Sequence, residues 1–249
     1  MSTLPDPRHA PDAAAPRPSI AVVIPVLDEE RSLPSVLRDL PADLVDRVVV
    51  VDNGSTDRSA AVAREAGATV VEEPERGYGA ACLRGIATVG DFDIVCFLDG
   101  DYSDYPEELR DVVAPVLAGR ADMVIGSRML NATSRAAIPP QARFGNRLSA
   151  VLLRLLFGIR CSDLGPFRAI RRTELARLGM RDRNYGWTVE MQVRAKLAGL
   201  RVEEIPVRYR ERIGVSKVSG TVKGSILAGY KILKTIFAYR LFPPRIPRG

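Results

Sequence analysis

The chain has 249 residues, 46% hydrophobic and 27% charged, with a formal net charge of +6. That is ordinary globular composition and excludes a disordered chain. Its one histidine, His9, lies in a Pro/Ala-rich tail, which removes Ser-His-Asp hydrolysis, histidine acid chemistry and ordinary zinc sites.

Residues 1–19 are aperiodic and read as a flexible tail, and the prolines at 5, 7, 11, 16 and 18 interrupt any signal-peptide core. The run Ile20-Ala-Val-Val-Ile-Pro-Val-Leu27 is apolar and β-branched, a buried strand. A helix is expected from Leu33 to Leu40, a strand from Asp46 to Asp52 and a helix from Thr56 to Ala66. A strand at 69–71, a helix at 79–89, a strand at 93–98, a helix at 106–117 and a strand at 122–125 continue the alternation. Apolar strands alternating with helices predict a mostly parallel α/β sheet covered on both faces. Ligands of such sheets bind beyond the carboxyl ends of the strands.

Those ends are rich in carboxylates. They read Asp28-Glu29, then Asp52-Asn-Gly-Ser-Thr-Asp57, then Asp99-Gly-Asp-Tyr-Ser-Asp104, and the strand at 122–125 runs into Gly126-Ser-Arg128. Acids gathered on one edge repel unless a cation joins them, and a hard divalent ion such as magnesium or manganese suits an Asp-Gly-Asp after a buried strand. A turn role for Asp52 is equally good chemistry, because Asp-Asn-Gly-Ser favours tight turns.

The runs Val22–Glu30, Val50–Asp57, Phe97–Asp101 and Gly126–Arg128, in this order, resemble glycosyltransferase family 2, and within it the polyprenyl-phosphate (dolichyl-phosphate) sugar synthase branch. The resemblance runs from about residue 20 to 220 and implies a GT-A fold, a nucleotide-sugar donor, a divalent metal and an inverting, non-processive transfer. It places Pro25, Asp28, Glu29 and Asp52 around the nucleoside, Asp99 and Asp101 at ribose, diphosphate and metal, and Arg128 against phosphate charge. Asp163 and Glu190 match acidic positions beside the acceptor, and either is a candidate base for a hydroxyl acceptor, whereas a phosphate monoester needs none. The segment Arg208-Tyr-Arg-Glu-Arg-Ile-Gly-Val-Ser-Lys217 resembles the family's flexible basic segment ending in Ser-Lys, with Arg208, Arg210, Arg212 and Lys217 as partners of a donor diphosphate or an acceptor phosphate. An exposed strand with its arginines on one face is the plainer account of the same residues.

From Arg201 onward there are 11 basic and 3 acidic residues. Residues Val222, Ile226, Tyr230, Leu233 and Phe237 recur at helical spacing among lysines. A basic amphipathic helix over 221–249, able to touch an anionic membrane, is expected. No apolar run approaches the ~18 residues of a membrane span. Three cysteines without a CxxC pair point to a reduced, cytoplasmic setting.

Other readings compete. Gly77-Tyr-Gly-Ala-Ala-Cys82 approaches a dinucleotide fingerprint, but Pro74-Glu-Arg76 separates its glycines from their strand. The acidic strand edge argues against nucleic acid. A soluble hydroxylated acceptor and a non-catalytic nucleotide-sugar-binding module stay open as alternatives to a polyprenyl phosphate transferase.

Overall fold

In the computed structural model, residues 17–214 and 222–247 are described. Lys217 and residues 1–16 lie outside them. Residues 17–19, read above as the end of a tail, are tied to the body: Arg17 pairs with Asp46 at 2.7 Å and the Ser19 N–H donates to Asp93 at 2.7 Å.

Among the described residues seven strands form one sheet. They are β1 (Ile20–Val26), β2 (Arg47–Asp52), β3 (Thr69–Glu72), β4 (Ile94–Phe97), β5 (Met123–Ser127), β6 (Arg168–Arg171) and β7 (Val202–Pro206), in the order β3-β2-β1-β4-β6-β5-β7. All neighbours run parallel except β6, which is antiparallel to both β4 and β5. The helices are α1 (Leu33–Asp39), α2 (Ser59–Glu65), α3 (Tyr78–Val89), α4 (Leu109–Leu117), α5 (Ala132–Ala137), α6 (Pro140–Phe157), α7 (Arg172–Leu178), α8 (Trp187–Leu197) and α9 (Val222–Leu241).

Alternation along β1 sends its side chains into two cores. Ile20, Val22, Ile24 and Val26 meet Leu33 and Val36 of α1 and Leu109, Val112 and Val116 of α4. Ala21 and Val23 face the opposite layer, with Ala81 and Cys82 of α3 and Trp187 and Met191 of α8. There Phe97 meets Trp187 edge to face at 5.8 Å between centroids, an arrangement worth about 1 kcal/mol beyond its burial. A third, smaller cluster joins α6, α8 and α9 through Leu153, Val189, Val193 and Ile236.

The central helical spacing in α9 differs from the expected one. Ile232, Thr235, Ile236 and Tyr239 turn inward, while Tyr230 and Phe237 are exposed. The inward set is the one that complements the apolar faces of α6 and α8. The side chains of Val222 and Ile226 lie outside the described residues.

α2 starts at Ser59 rather than Thr56. The preceding loop is used to brace the end of β1: the Thr56 N–H donates to Asp28 and the Asp28 N–H to Ser55 Oγ. Asp57 then accepts from the Ser59 N–H at 2.9 Å.

Candidate active site

The carboxyl ends of β1, β2 and β4 open onto a cleft of about 270 Å³. Pro25, Val26, Leu27 and Glu29 form its wall after β1, Asn53 after β2, and Asp99, Gly100 and Asp101 after β4. Arg76, Gly77 and Tyr78 from the entry to α3, Asn184 and Tyr185 before α8, and Arg212 close it. Two non-glycine residues with positive φ stand at this edge, Asp28 at 51° after β1 and Tyr102 at 62° after β4. Such conformations cost of order 1–3 kcal/mol each and collect where a backbone is held for a purpose.

The two acids of Asp-Gly-Asp differ in surroundings. Asp99 Oδ1 is sealed from solvent beside the Tyr78 hydroxyl, and no other side chain among the described residues satisfies it. Burial, and after it the charge of Asp101, push the Asp99 carboxyl above the usual carboxylate range. Asp101 Oδ1 accepts the Ser103 N–H at 2.9 Å, while Oδ2 lies 3.1 Å from Arg212 Nη1. The same guanidinium reaches Glu29 Oε1 through Nη2 at 2.6 Å. Arg212 thus ties together the ends of β1 and β4, which are hydrogen-bonded neighbours in the sheet.

Among the described residues no group of three acidic, histidine or cysteine side chains is gathered tightly enough to hold a metal unaided. Two adjacent carboxylates, one sealed from solvent and the other already paired with a cation, nevertheless form an all-oxygen donor set that fits a hard divalent ion. Magnesium commonly takes one or two carboxylates and completes its shell with phosphate oxygens and water.

Other expected residues stand elsewhere. Asp52 Oδ1 accepts the Ser55 N–H at 2.9 Å, closing the Asp-Asn-Gly-Ser turn, and Asp28 accepts from the Thr56 N–H at 2.7 Å. Neither lines the cleft, so these two brace the strand ends that carry it. Asn53, which sequence reasoning passed over, does more: its amide donates to the Glu73 and Glu75 carbonyls and accepts the Gly77 N–H. It thereby fixes the segment that carries Arg76 into the cleft.

Arg128 and Asp163 form a bidentate pair with both contacts at 2.8 Å, and Asp163 also accepts the Arg128 N–H at 2.9 Å. Asp163 is wholly buried. Burial alone raises its pKa, but the Arg128 guanidinium overrides that and holds the carboxyl below the usual range. The Tyr209 ring lies 5.1 Å from the guanidinium carbon. Both oxygens of Asp163 are thus taken up by Arg128.

Glu190 is enclosed as well. It is wholly buried in α8 and accepts from the backbone N–H groups of Arg181 and Asp182. It also accepts Arg194 Nε at 2.8 Å and the Tyr239 hydroxyl of α9 at 2.5 Å. Its oxygens are spent on joining α8, α9 and the loop between α7 and α8. Arg208 is half-exposed, pairs with Glu107 and Glu108 and stacks over Tyr105 at 4.0 Å, so it sits outside the cleft. Of the alternating arginines only Arg212 enters it. Alternation places all three on one strand face, and only their partners, unseen in sequence, tell them apart: acids for Arg208 and Arg212, tyrosine rings and backbone carbonyls for Arg210.

The profile of the family described as Glycosyl transferase family 2 matches residues 21–179. The chain belongs to that family. An uncharacterized glycosyltransferase of Mycobacterium tuberculosis is 41% identical over 219 residues, covering 88% of this chain and 98% of its own length. A dolichyl-phosphate hexose transferase of Haloferax volcanii is 32% identical, with 89% of this chain and 96% of that protein covered. Among solved structures, glucosyl-3-phosphoglycerate synthase of M. tuberculosis with Mn2+, UDP-glucose and phosphoglyceric acid superposes with a TM-score of 0.68. It is 22% identical and covers 91% of this chain and 81% of that one, a likeness of fold. The sheet with its antiparallel β6 is thus the GT-A architecture, and this glycosyltransferase keeps its acidic cleft at the strand ends where that architecture opens.

Proposed function

We propose that this glycosyltransferase moves a hexose from a nucleotide-sugar donor to a polyprenyl phosphate, one sugar at a time and with inversion, using Mg2+ or Mn2+. One observation carries the choice of acceptor. The two carboxylates that the family resemblance offers as a base for a hydroxyl acceptor, Asp163 and Glu190, are both buried and engaged. A phosphate acceptor arrives as an anion, so its oxygen attacks without surrendering a proton. The names of relatives agree, among them the dolichyl-phosphate hexose transferase of H. volcanii and an undecaprenyl-phosphate mannosyltransferase of Micrococcus luteus that is 27% identical.

In this reading the Pro25–Leu27 wall and Tyr78 flank the nucleoside, and Asp99 and Asp101 hold the divalent ion with the donor diphosphate. The ion, when bound, stabilises charge that develops on the departing diphosphate, a contribution of several kcal/mol. Arg128, aimed by Asp163, adds fixed positive charge on the same edge. The new bond joins an acceptor phosphate oxygen to the anomeric carbon as the bond to the donor diphosphate breaks, and no protein nucleophile intervenes.

The test is nucleoside diphosphate release from a panel of nucleotide sugars with Mn2+, comparing a short-chain polyprenyl phosphate with the matching polyprenyl alcohol. Turnover is expected with the phosphate and not with the alcohol, and it stops in excess chelator. Asp101→Asn should lower it by about 10²-fold or more with the fold intact. Equal use of the alcohol, or turnover that persists in chelator, rejects the reading.

A further inference from the structure

The segment that carries Arg212 is laid along the Asp101–Asp104 loop as an extra strand. Tyr209 bridges to Asp104 in antiparallel fashion, the Arg210 N–H donates to the Ser103 carbonyl at 2.9 Å, and the Ile213 N–H donates to the Asp101 carbonyl at 3.1 Å. Arg210 anchors this strap: its guanidinium lies 3.5 Å over the Tyr102 ring and donates to the Tyr102 and Asp104 carbonyls. Arg212, two residues on, is thereby set over the acids of the cleft, and its Nε–H is buried with no acceptor among the described residues. The guanidinium therefore neutralises Glu29 and Asp101 while keeping one donor unused.

From this geometry we infer that Arg212 is the resident counter-cation of the acidic site and competes with the divalent ion for Asp101 until the donor diphosphate arrives. The inference rests on the reading above, in which Asp99 and Asp101 hold that ion. Two positive groups cannot share Asp101 closely without repulsion, so an ion approaching the free protein meets an occupied carboxylate. A diphosphate changes the balance, because its oxygens offer the guanidinium a bidentate partner and give Nε–H an acceptor. Arg212 then moves its pairing from protein acid to ligand, and Asp101 is released to the metal. Ion and diphosphate consequently bind with positive coupling, which by linkage acts equally in both directions.

The experiment is a Mn2+ titration followed by the EPR signal of the free ion, on the full chain with and without UDP. Arg212→Gln is expected to bind Mn2+ at least tenfold more tightly than the unmodified protein when UDP is absent. It is also expected to lose most of the tightening that UDP confers on the unmodified protein. Arg212→Lys keeps a charge but cannot bridge both acids, so it should shift the affinity in the same direction by less, and it serves if the glutamine variant folds poorly. Circular dichroism and thermal melts identify the folded variants. Unchanged or weaker Mn2+ binding by folded variants without UDP overturns the inference while leaving the metal site standing. Absence of Mn2+ binding by every protein, with UDP as well as without, overturns the site and the inference together.

Discussion

At Glu190 a residue that resemblance offers as a base is enclosed by partners from three elements. Its carboxylate lies 2.8 Å from Arg194 Nε, with both side chains almost wholly buried. Removing one member of such a pair strands the other without a counter-ion, at a cost of about 3–5 kcal/mol. Glu190→Gln should therefore lower Tm by on the order of 10 °C in a protein of this size. Turnover per folded molecule at low temperature should keep its pH profile, since no base is lost. A variant as stable as the parent but without turnover would return Glu190 to the chemistry. Asp104 is a different case. It is buried, both carboxylate oxygens lack partners among the described residues, and burial pushes its pKa well above the ordinary carboxylate range. Its place in the Asp-Gly-Asp-Tyr-Ser-Asp run gave no hint of this, because sequence shows the acid and not the lid that the Tyr209 strap lays over it.

The elements that sequence patterns reveal are those whose burial is uniform. β1, β2 and β4 are apolar on both faces, and their limits agree with expectation to within one or two residues. β6 has no apolar signature, because its four residues include Arg168 and Arg171. Arg168 is nonetheless buried, its guanidinium capping the Gly165 and Thr188 carbonyls. An arginine that satisfies backbone carbonyls inside a sheet has no signature in composition. The glycines at 77 and 79 were legible as a motif but not in purpose. The Ala80 N–H donates to the Arg183 carbonyl at 2.9 Å, and a Cβ at Gly79 would come within 2.0 Å of the Asp182 carbonyl oxygen. Close docking of α3 on the segment before α8, not a dinucleotide, is what they serve. Both segments line the cleft, so Gly79→Ala should disturb two of its walls together. Overpacking against backbone costs about 1–3 kcal/mol or more. A lowered urea midpoint accompanied by weaker donor binding is expected, and an alanine variant with unaltered stability would contradict the close approach.

Taken as one body, the protein is electrically lopsided. No Asp or Glu occurs from Met123 to Ser162 or after Glu211, and these stretches carry 6 and 8 basic residues. They contain α6 and α9, which pack on each other through Leu153 and Ile236. Both helices also turn large apolar side chains to solvent: Phe144, Leu148, Val151 and Leu155 at successive turns of α6, and Leu227, Tyr230, Phe237 and Leu241 on α9. No described helix is long and apolar enough to cross a membrane. An acid-free helix pair with exposed apolar stripes suits the surface of an anionic bilayer, where the polyprenyl phosphate proposed above would reside. Each basic residue near such a surface adds about 1 kcal/mol, and the electrostatic share fades within a Debye length. The protein should therefore float with vesicles containing anionic phospholipid at low salt, float less at high salt, and ignore purely zwitterionic ones. Leu155 and Leu241 are each more than 70% exposed, so Leu155→Glu with Leu241→Glu should leave the fold intact. That double variant should lose vesicle binding and turnover of a long-chain lipid acceptor, while a short, water-soluble polyprenyl phosphate is still glycosylated at the parent rate. Flotation equal to the parent's would show that this face does not meet the membrane, and equal loss of activity on both acceptors would place the two leucines in the active site instead.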